Sequence, residues 1–398
     1  MTSLALAPEL RPLSGRINDV DSHEMMPVQQ WVECLGPGIR PLADFWQTAH
    51  SGEMDMLDIP DFAGDAAEIG EDVVIQKGAT APGASDPARR LEVMDAMGIG
   101  RQLLFPSGIG TFGFMLEIGK KRTPVPGMDG DLRSMGRQLL ALYGDWAFEV
   151  ARLSDRLRPV LPIYGDSPQE LIAHAQHLID NGIRAIWMAS GALPGGCSPA
   201  SPELDPLWAL LAESRTALTL HGGGEGQFLK TNEWRSAPAF SGYRATAEFD
   251  FDPWSMSIYH LPSQNFVTTM VMGGVFERHP DLHLGVIEVG SHWVGPTMEC
   301  MDLLYDAFRS PHASRLRDRP SEYMRRNVRV SVLVYEQIDR WMEQYPGLED
   351  VLCFSTDYPH PEGGKGAAKR LYDRVARLGE SAVEKFFVTN GAALLADL

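Results

Sequence analysis

Eight short β-rich runs, each followed by a stretch with helical periodicity, recur along the 398-residue chain, and this alternation restricts its fold more than any other feature. The runs are residues 17–23, 100–106, 157–165, 183–190, 216–224, 282–290, 327–334 and 350–360. Strands separated by helices pair in parallel, because each crossover returns the chain to the same end of the sheet. Between the third and fourth runs, SPQELIAHAQHLIDNG opens on Ser-Pro, carries apolar residues at helical spacing and stops at Asn-Gly; PELDPLWALLAES reads the same way after the fourth. Eight such units predict an α/β fold, a (β/α)8 TIM barrel formed as one domain by residues 1–398, with an open doubly wound sheet as the alternative. Two segments, 24–85 and 222–262, break the alternation. Both follow the C-terminal ends of strands, where barrels build their active sites, so both are expected as insertions that roof a pocket. Their aromatics (Trp31, Phe45, Trp46, Phe62, Phe228, Trp234, Phe240, Phe249, Phe251, Trp254) would either line a cavity for a bulky apolar substrate or give each segment a small core of its own.

The charge balance narrows the partners. With 35 Lys and Arg against 53 Asp and Glu the formal charge is −18, which disfavours nucleic acid and anionic membranes and leaves a small-molecule substrate as the expected partner. Cys34, Cys197, Cys300 and Cys353 lie far apart, in none of the tight spacings of a zinc knuckle or redox motif, and read as reduced thiols. No run approaches the roughly 18 apolar residues of a membrane span, and the first residues lack the basic region of a signal peptide. A cytoplasmic location is the expectation.

Polar residues collect where the strands end. Asp21 and His23 close the first run, His221 the fifth, Glu288 the sixth and Asp357 the eighth. Residues i and i+2 of a strand share a face, and a barrel brings its strand ends to one mouth, so all five are expected to converge. Imidazoles mixed with carboxylates suit Zn, Mn or Fe. Any one of these residues alone reads more readily as a turn cap or a core histidine; their joint placement argues for a metal.

Four stretches carry a resemblance to a known family: VDSHEMMP (20–27), LTLHGGG (218–224), GGVFERHPDLHLGVIEVGSHWVGPTMECMD (273–302) and FSTDYPHPEG (354–363). From residue 17 onward the chain resembles the amidohydrolase-related group that includes aminocarboxymuconate semialdehyde decarboxylase and the resorcylate and carboxyvanillate decarboxylases. The resemblance implies a (β/α)8 barrel with a metal at the positions of Asp21, His23, His221 and Asp357, and a homodimer. Asp21 is a variant carboxylate at a place where the family often has His or Glu. The larger departure is at strand 6, where the family's usual catalytic His is replaced by Glu288.

His292, four residues beyond Glu288, and His360, three beyond Asp357, are then expected to approach the same space. If Glu288, His292 and His360 complete a second position, the centre holds two Fe and activates O2, as in the dinuclear non-haem iron hydroxylase branch of the family found in diterpenoid antibiotic biosynthesis. This is the first expectation: a hydroxylase for a bulky, terpenoid-like substrate. The alternative is one Zn or Mn with Glu288 or His292 as general acid/base, giving a hydrolase or nonoxidative decarboxylase. A barrel without catalysis, serving only to bind, is the third. Lys120, Lys121 and Arg122 form the strong basic cluster, read by default as a solvated turn and otherwise as a contact for the phosphates of a CoA ester. His174, His177, His279 and His283 read as packing or surface residues, and Gly222 to Gly224 as room for backbone close to the metal.

Overall fold

The structure is a computed structural model that describes residues 5–49, 57–120, 125, 127–191, 193–225, 228–229, 231–240, 252–308 and 316–397. All eight expected strands are present: β1 (Ile17–Asp19), β2 (Ile99–Leu104), β3 (Leu157–Pro162), β4 (Ala185–Trp187), β5 (Ala217–His221), β6 (Leu284–Ile287), β7 (Val328–Ser331) and β8 (Leu352–Cys353). They form one sheet in sequential order, each pairing in parallel with the next. The chain after β8 returns to β1: Val20 N–H donates to Phe354 O (3.3 Å), Asp357 N–H to Asp21 O (2.8 Å) and His23 N–H to Tyr358 O (2.8 Å). These bonds, with the parallel bridge between Ser22 and Tyr358, close the barrel and set aside the open-sheet alternative.

Period-two burial explains the closure. Leu103, Val160, Ala185, Ala217 and Ile287 belong to one buried apolar cluster, which with Leu394 and Leu395 fills the interior. Their strand neighbours Leu104, Leu161, Ile186, Leu218 and Val286 belong to the larger core between sheet and helices. A strand buried on both faces reads as the continuous apolar run seen in the sequence. The strands are shorter than those runs because the last residues of each run form the mouth. The helix after β3 spans Pro168–Asp180, capped by Ser167 Oγ, which accepts from Glu170 N–H (3.2 Å), and ends at Asn181 as its start and stop signals require. The helix expected from PELDPLWALLAES covers Asp205–Glu213. No helix among the described residues is long and apolar enough to cross a membrane.

Within the described part of segment 24–85 the chain folds back onto the strand tips. Gly78 N–H donates to Pro359 O (2.9 Å), Tyr358 Oη–H to Pro82 O (2.7 Å) and Met25 N–H to Ala84 O (2.8 Å). Trp31 and Trp46 meet edge to face at 6.1 Å and are buried, so these rings make a local core. In segment 222–262, Phe240 packs near Trp254 at 6.2 Å and Trp234 is exposed, while Phe249 and Phe251 lie outside the described residues.

Arg90, fully buried on the helix Pro87–Met97, ties this segment to the barrel. Its guanidinium donates to Gly83 O (2.6 Å), His23 O (2.6 Å), Tyr358 O (3.3 Å) and Gln102 Oε1 (3.4 Å), and lies 5.0 Å from the centre of the Tyr358 ring. The four histidines read as packing residues are placed accordingly. His174 Nδ1 accepts from Tyr164 N–H (3.2 Å), His177 packs on Phe148, His279 approaches Asp205 (3.2 Å), and burial lowers His283 to about 4.

Candidate metal centre

Six of the seven expected ligands meet at the mouth. Asp21, His23 and His221 place one donor atom each within 4.8 Å of one another, and so do His23, Glu288, Asp357 and His360. The two groups share His23, and all six side chains are buried. His23 Nε2 is 3.4 Å from Asp21 Oδ1 and 3.6 Å from Asp357 Oδ1. His221 Nε2 is 3.5 Å from Asp21 Oδ1 and 3.5 Å from Glu288 Oε2. His360 Nδ1 is 3.1 Å from Asp357 Oδ1 and 4.0 Å from Glu288 Oε1.

The aim of each side chain has a local cause. β1 ends at Asp19, and the irregular backbone beyond it, held by β8, carries Asp21 and His23 inward. His221 closes β5, and its Nδ1 sits 2.8 Å from Gly222 O, which leaves Nε2 facing the carboxylates. Glu288 and Asp357 both have left-handed backbones, at φ 59° and 51°. Such residues are uncommon outside glycine and cluster at functional sites, where surrounding bonds hold them. Glu288 N–H donates to Ser331 Oγ (3.0 Å). Just beyond it, Glu336 accepts from Ser291 N–H (2.8 Å), Ser291 Oγ–H (2.9 Å) and Leu333 N–H (2.9 Å), stapling the loop after β6 to the loop after β7.

His292 is the exception. It is half-exposed, with Nδ1 3.8 Å from Glu336 Oε1 and its ring edge-on to His260 at 4.6 Å, and it belongs to neither donor group. Between Glu288 and His292 the backbone passes through two positive-φ residues, Glu288 and Gly290 (φ 73°), so the chain does not continue the strand's direction there. In the basic cluster, Lys120 forms an ion pair with Glu225 and its Nζ is 3.4 Å from Gly223 O, while Lys121 and Arg122 lie outside the described residues.

Several contributors were not singled out in the sequence. Ser107, at the tip of β2, places Oγ 2.9 Å from His360 Nε2 and 3.4 Å from His23 Nδ1. Glu24 accepts from Ser107 N–H (3.1 Å) and Met26 N–H (2.8 Å). Asp19 accepts from Thr356 N–H (2.9 Å), Thr356 Oγ1–H (2.6 Å) and Gln102 Nε2–H (2.7 Å); burial pushes its carboxyl up to about 6 against those bonds. Burial also raises the Tyr259 phenol well above its ordinary range, with Glu225 and Glu288 adding to the effect. A polar residue within three positions of a strand end was the available signal, and it points to Ser107.

The residues fit a metal ion. Asp21 Oδ1, His221 Nε2 and Asp357 Oδ1 are buried with no hydrogen-bond partner among the described residues, and the ion-pair neighbours of Asp21 and Asp357 there are imidazoles. Buried carboxylates left in this way cost several kcal/mol unless a cation neutralises them. Donors that share an ion at about 2.1 Å lie roughly 3.0 to 3.5 Å apart, which the 3.1 to 3.6 Å separations match. Gly222 provides the room: a Cβ there would lie 2.8 Å from both Glu288 Oε2 and Tyr259 Oη. Gly222→Ala is therefore expected to displace Glu288 and lower turnover at least tenfold while circular dichroism stays unchanged. Wild-type turnover in that variant would show that the glycine has no part in the site.

A parallel barrel whose strand ends present buried imidazoles and carboxylates defines the class of barrel metal centres. The chain belongs to the amidohydrolase family, whose model matches residues 139–396, more than half of the chain. No curated protein matches the sequence. Among solved structures, an amidohydrolase from Mycobacterium avium subsp. paratuberculosis K-10 superposes with a TM-score of 0.64 at 18% identity, covering 96% of this chain and 98% of the other. 5-Carboxyvanillate decarboxylase LigW from Sphingomonas paucimobilis gives 0.58 at 18% identity, covering 97% and 100%. 5-Carboxyvanillate decarboxylase from Novosphingobium aromaticivorans DSM 12444, complexed with manganese and 4-hydroxy-3-methoxy-5-nitrobenzoic acid, gives 0.56 at 17% identity, covering 99% of each chain. At these identities the likeness concerns the fold.

Proposed function

We propose that the chain is a metal-dependent enzyme that hydrolyses or nonoxidatively decarboxylates a carboxylated small molecule, using one divalent ion held by Asp21, His23, His221 and Asp357. The observation that carries this reading is the buried donor set at the barrel mouth, with Asp21 Oδ1, His221 Nε2 and Asp357 Oδ1 left without hydrogen bonds among the described residues. The decarboxylases of similar fold, one of them with manganese, support it. A divalent ion there would polarise a substrate carboxylate or carbonyl and lower the pKa of a bound water.

The protein's own groups do the rest. Glu288 faces His221 and His360 from the tip of β6 and holds or delivers the proton at its carboxylate oxygens. The described parts of segments 24–85 and 222–262 shield the mouth from water and set the size of the substrate. His292, turned toward Glu336, has no role in proton transfer on this reading.

One observation favours the dinuclear iron hydroxylase as a second reading: six donors in two overlapping groups exceed what one ion with an open coordination position needs. Metal analysis after anaerobic iron loading, combined with an O2-uptake assay and Glu288→Gln, separates the two. With one ion, the Gln variant keeps its metal, loses turnover by about 10²- to 10⁴-fold and uses no O2 in either form. Two irons per chain in the wild type, one lost in the Gln variant and O2 consumed with substrate would replace the first reading by the second.

A further inference from the structure

We propose that Ser107 is the positioning residue that sets which nitrogen each of two histidines offers to the metal, and so makes His360 a ligand. The inference rests on the metal-centre reading above and adds His360 to its ligands. His23 and His360 stack nearly parallel, with centroids 3.7 Å apart and planes inclined by 21°. Yet they face the carboxylates through different atoms: His23 through Nε2, 3.4 Å from Asp21 and 3.6 Å from Asp357, and His360 through Nδ1, 3.1 Å from Asp357. On the opposite edge of both rings stands one hydroxyl, Ser107 Oγ, 3.4 Å from His23 Nδ1 and 2.9 Å from His360 Nε2.

A neutral imidazole that binds an ion through one nitrogen carries its proton on the other. Both outer nitrogens are then N–H donors, and a serine hydroxyl has two lone pairs to accept them. One oxygen therefore holds His23 as the Nδ1–H tautomer and His360 as the Nε2–H tautomer. It also locks the two rings together, coupling the donor group of Asp21, His23 and His221 to that of Glu288, Asp357 and His360. The hydroxyl is 4% exposed at residue level and is fixed from behind, since Ser107 N–H donates to Glu24 Oε1 at 3.1 Å. That backbone bond survives replacement of the side chain, so Ser107→Ala removes the acceptor without unpinning the loop.

Co2+ is the probe, because its visible absorption reports ligand number and geometry apart from catalysis. Metal-free full-length protein is titrated with Co2+ for the wild type, Ser107→Ala and Ser107→Thr. The Ala variant is expected to bind Co2+ about 10- to 100-fold more weakly with an altered visible spectrum, and the Thr variant, which keeps a hydroxyl, to recover most of the affinity. An Ala variant with wild-type affinity and spectrum would overturn the role of Ser107 while leaving the metal centre intact. Failure of the wild type to bind Co2+ would instead remove the metal reading on which the inference rests. A Thr variant as weak as Ala, with thermal stability equal to the wild type, would also count against a hydroxyl-based role.

Discussion

His221→Ala is expected to abolish turnover, by more than about 10³-fold, and to remove most bound metal while leaving the barrel folded. His221 Nε2 stands 3.5 Å from both Asp21 and Glu288, so its loss breaks the contact between the carboxylates of β1 and β6. The fold has no such dependence on it, because β5 is held by its ladders to β4 and β6 through Leu218, Thr219 and Leu220. The readout is thermal unfolding with and without added divalent metal. Metal bound only by the folded state stabilises it by about 2.7 kcal/mol at a hundredfold excess over Kd, so adding metal raises the wild-type midpoint and chelation lowers it. The Ala variant should unfold at one temperature under both conditions. A variant that keeps metal-dependent stabilisation and turnover would place the centre elsewhere.

Arg90→Met is expected to have the largest effect on stability, about 3 kcal/mol or more. It removes the Arg90 donor from the buried carbonyls of Gly83 and His23 and leaves Tyr358 O only its bond from His23 N–H; each buried group left unsatisfied costs about 1 to 3 kcal/mol. Two of these carbonyls flank proposed ligands: His23 itself, and Tyr358 next to Asp357. The variant should therefore also lose metal faster, which chelator-chase kinetics would measure. Lys is not expected to rescue it, since one ammonium cannot reproduce a planar fork that reaches three carbonyls and stacks on Tyr358. Stability within about 0.5 kcal/mol of the wild type would show that the segment before this helix is held by other contacts.

Much of this was readable from the chain. The barrel followed from eight apolar runs, because strands buried on both faces leave that mark whatever their exact ends. Asp21, His23, His221, Glu288, Asp357 and His360 cluster because they stand at strand tips or within a turn of one, and closure of the sheet brings tips together whatever the loops do. His292 was misplaced for a physical reason. Its spacing from Glu288 assumes a regular backbone, but Glu288 and Gly290 both have positive φ, and no residue propensity announces a left-handed glutamate. Ser107, Glu24, Glu336 and Arg90 were overlooked because their roles are set by partners far along the chain: Ser107 to His360, Glu336 to Ser291 and Arg90 to Tyr358. Such pairings become visible only once the barrel has closed.

The left-handed backbones at Glu288 and Asp357 limit how this centre can be changed by substitution. Valine, isoleucine and threonine are shut out of such positions by the clash of a branched Cβ, whereas glycine, asparagine, aspartate and histidine tolerate them. The side chains accessible at the two tips are thus largely those that bind metals or carry protons. Exchange of Glu288 for the histidine that the family resemblance leads one to expect at β6 asks nothing new of the main chain. A single codon change at that tip trades a carboxylate for an imidazole on an unaltered barrel, so related barrels can diverge in chemistry while their backbones stay superimposable.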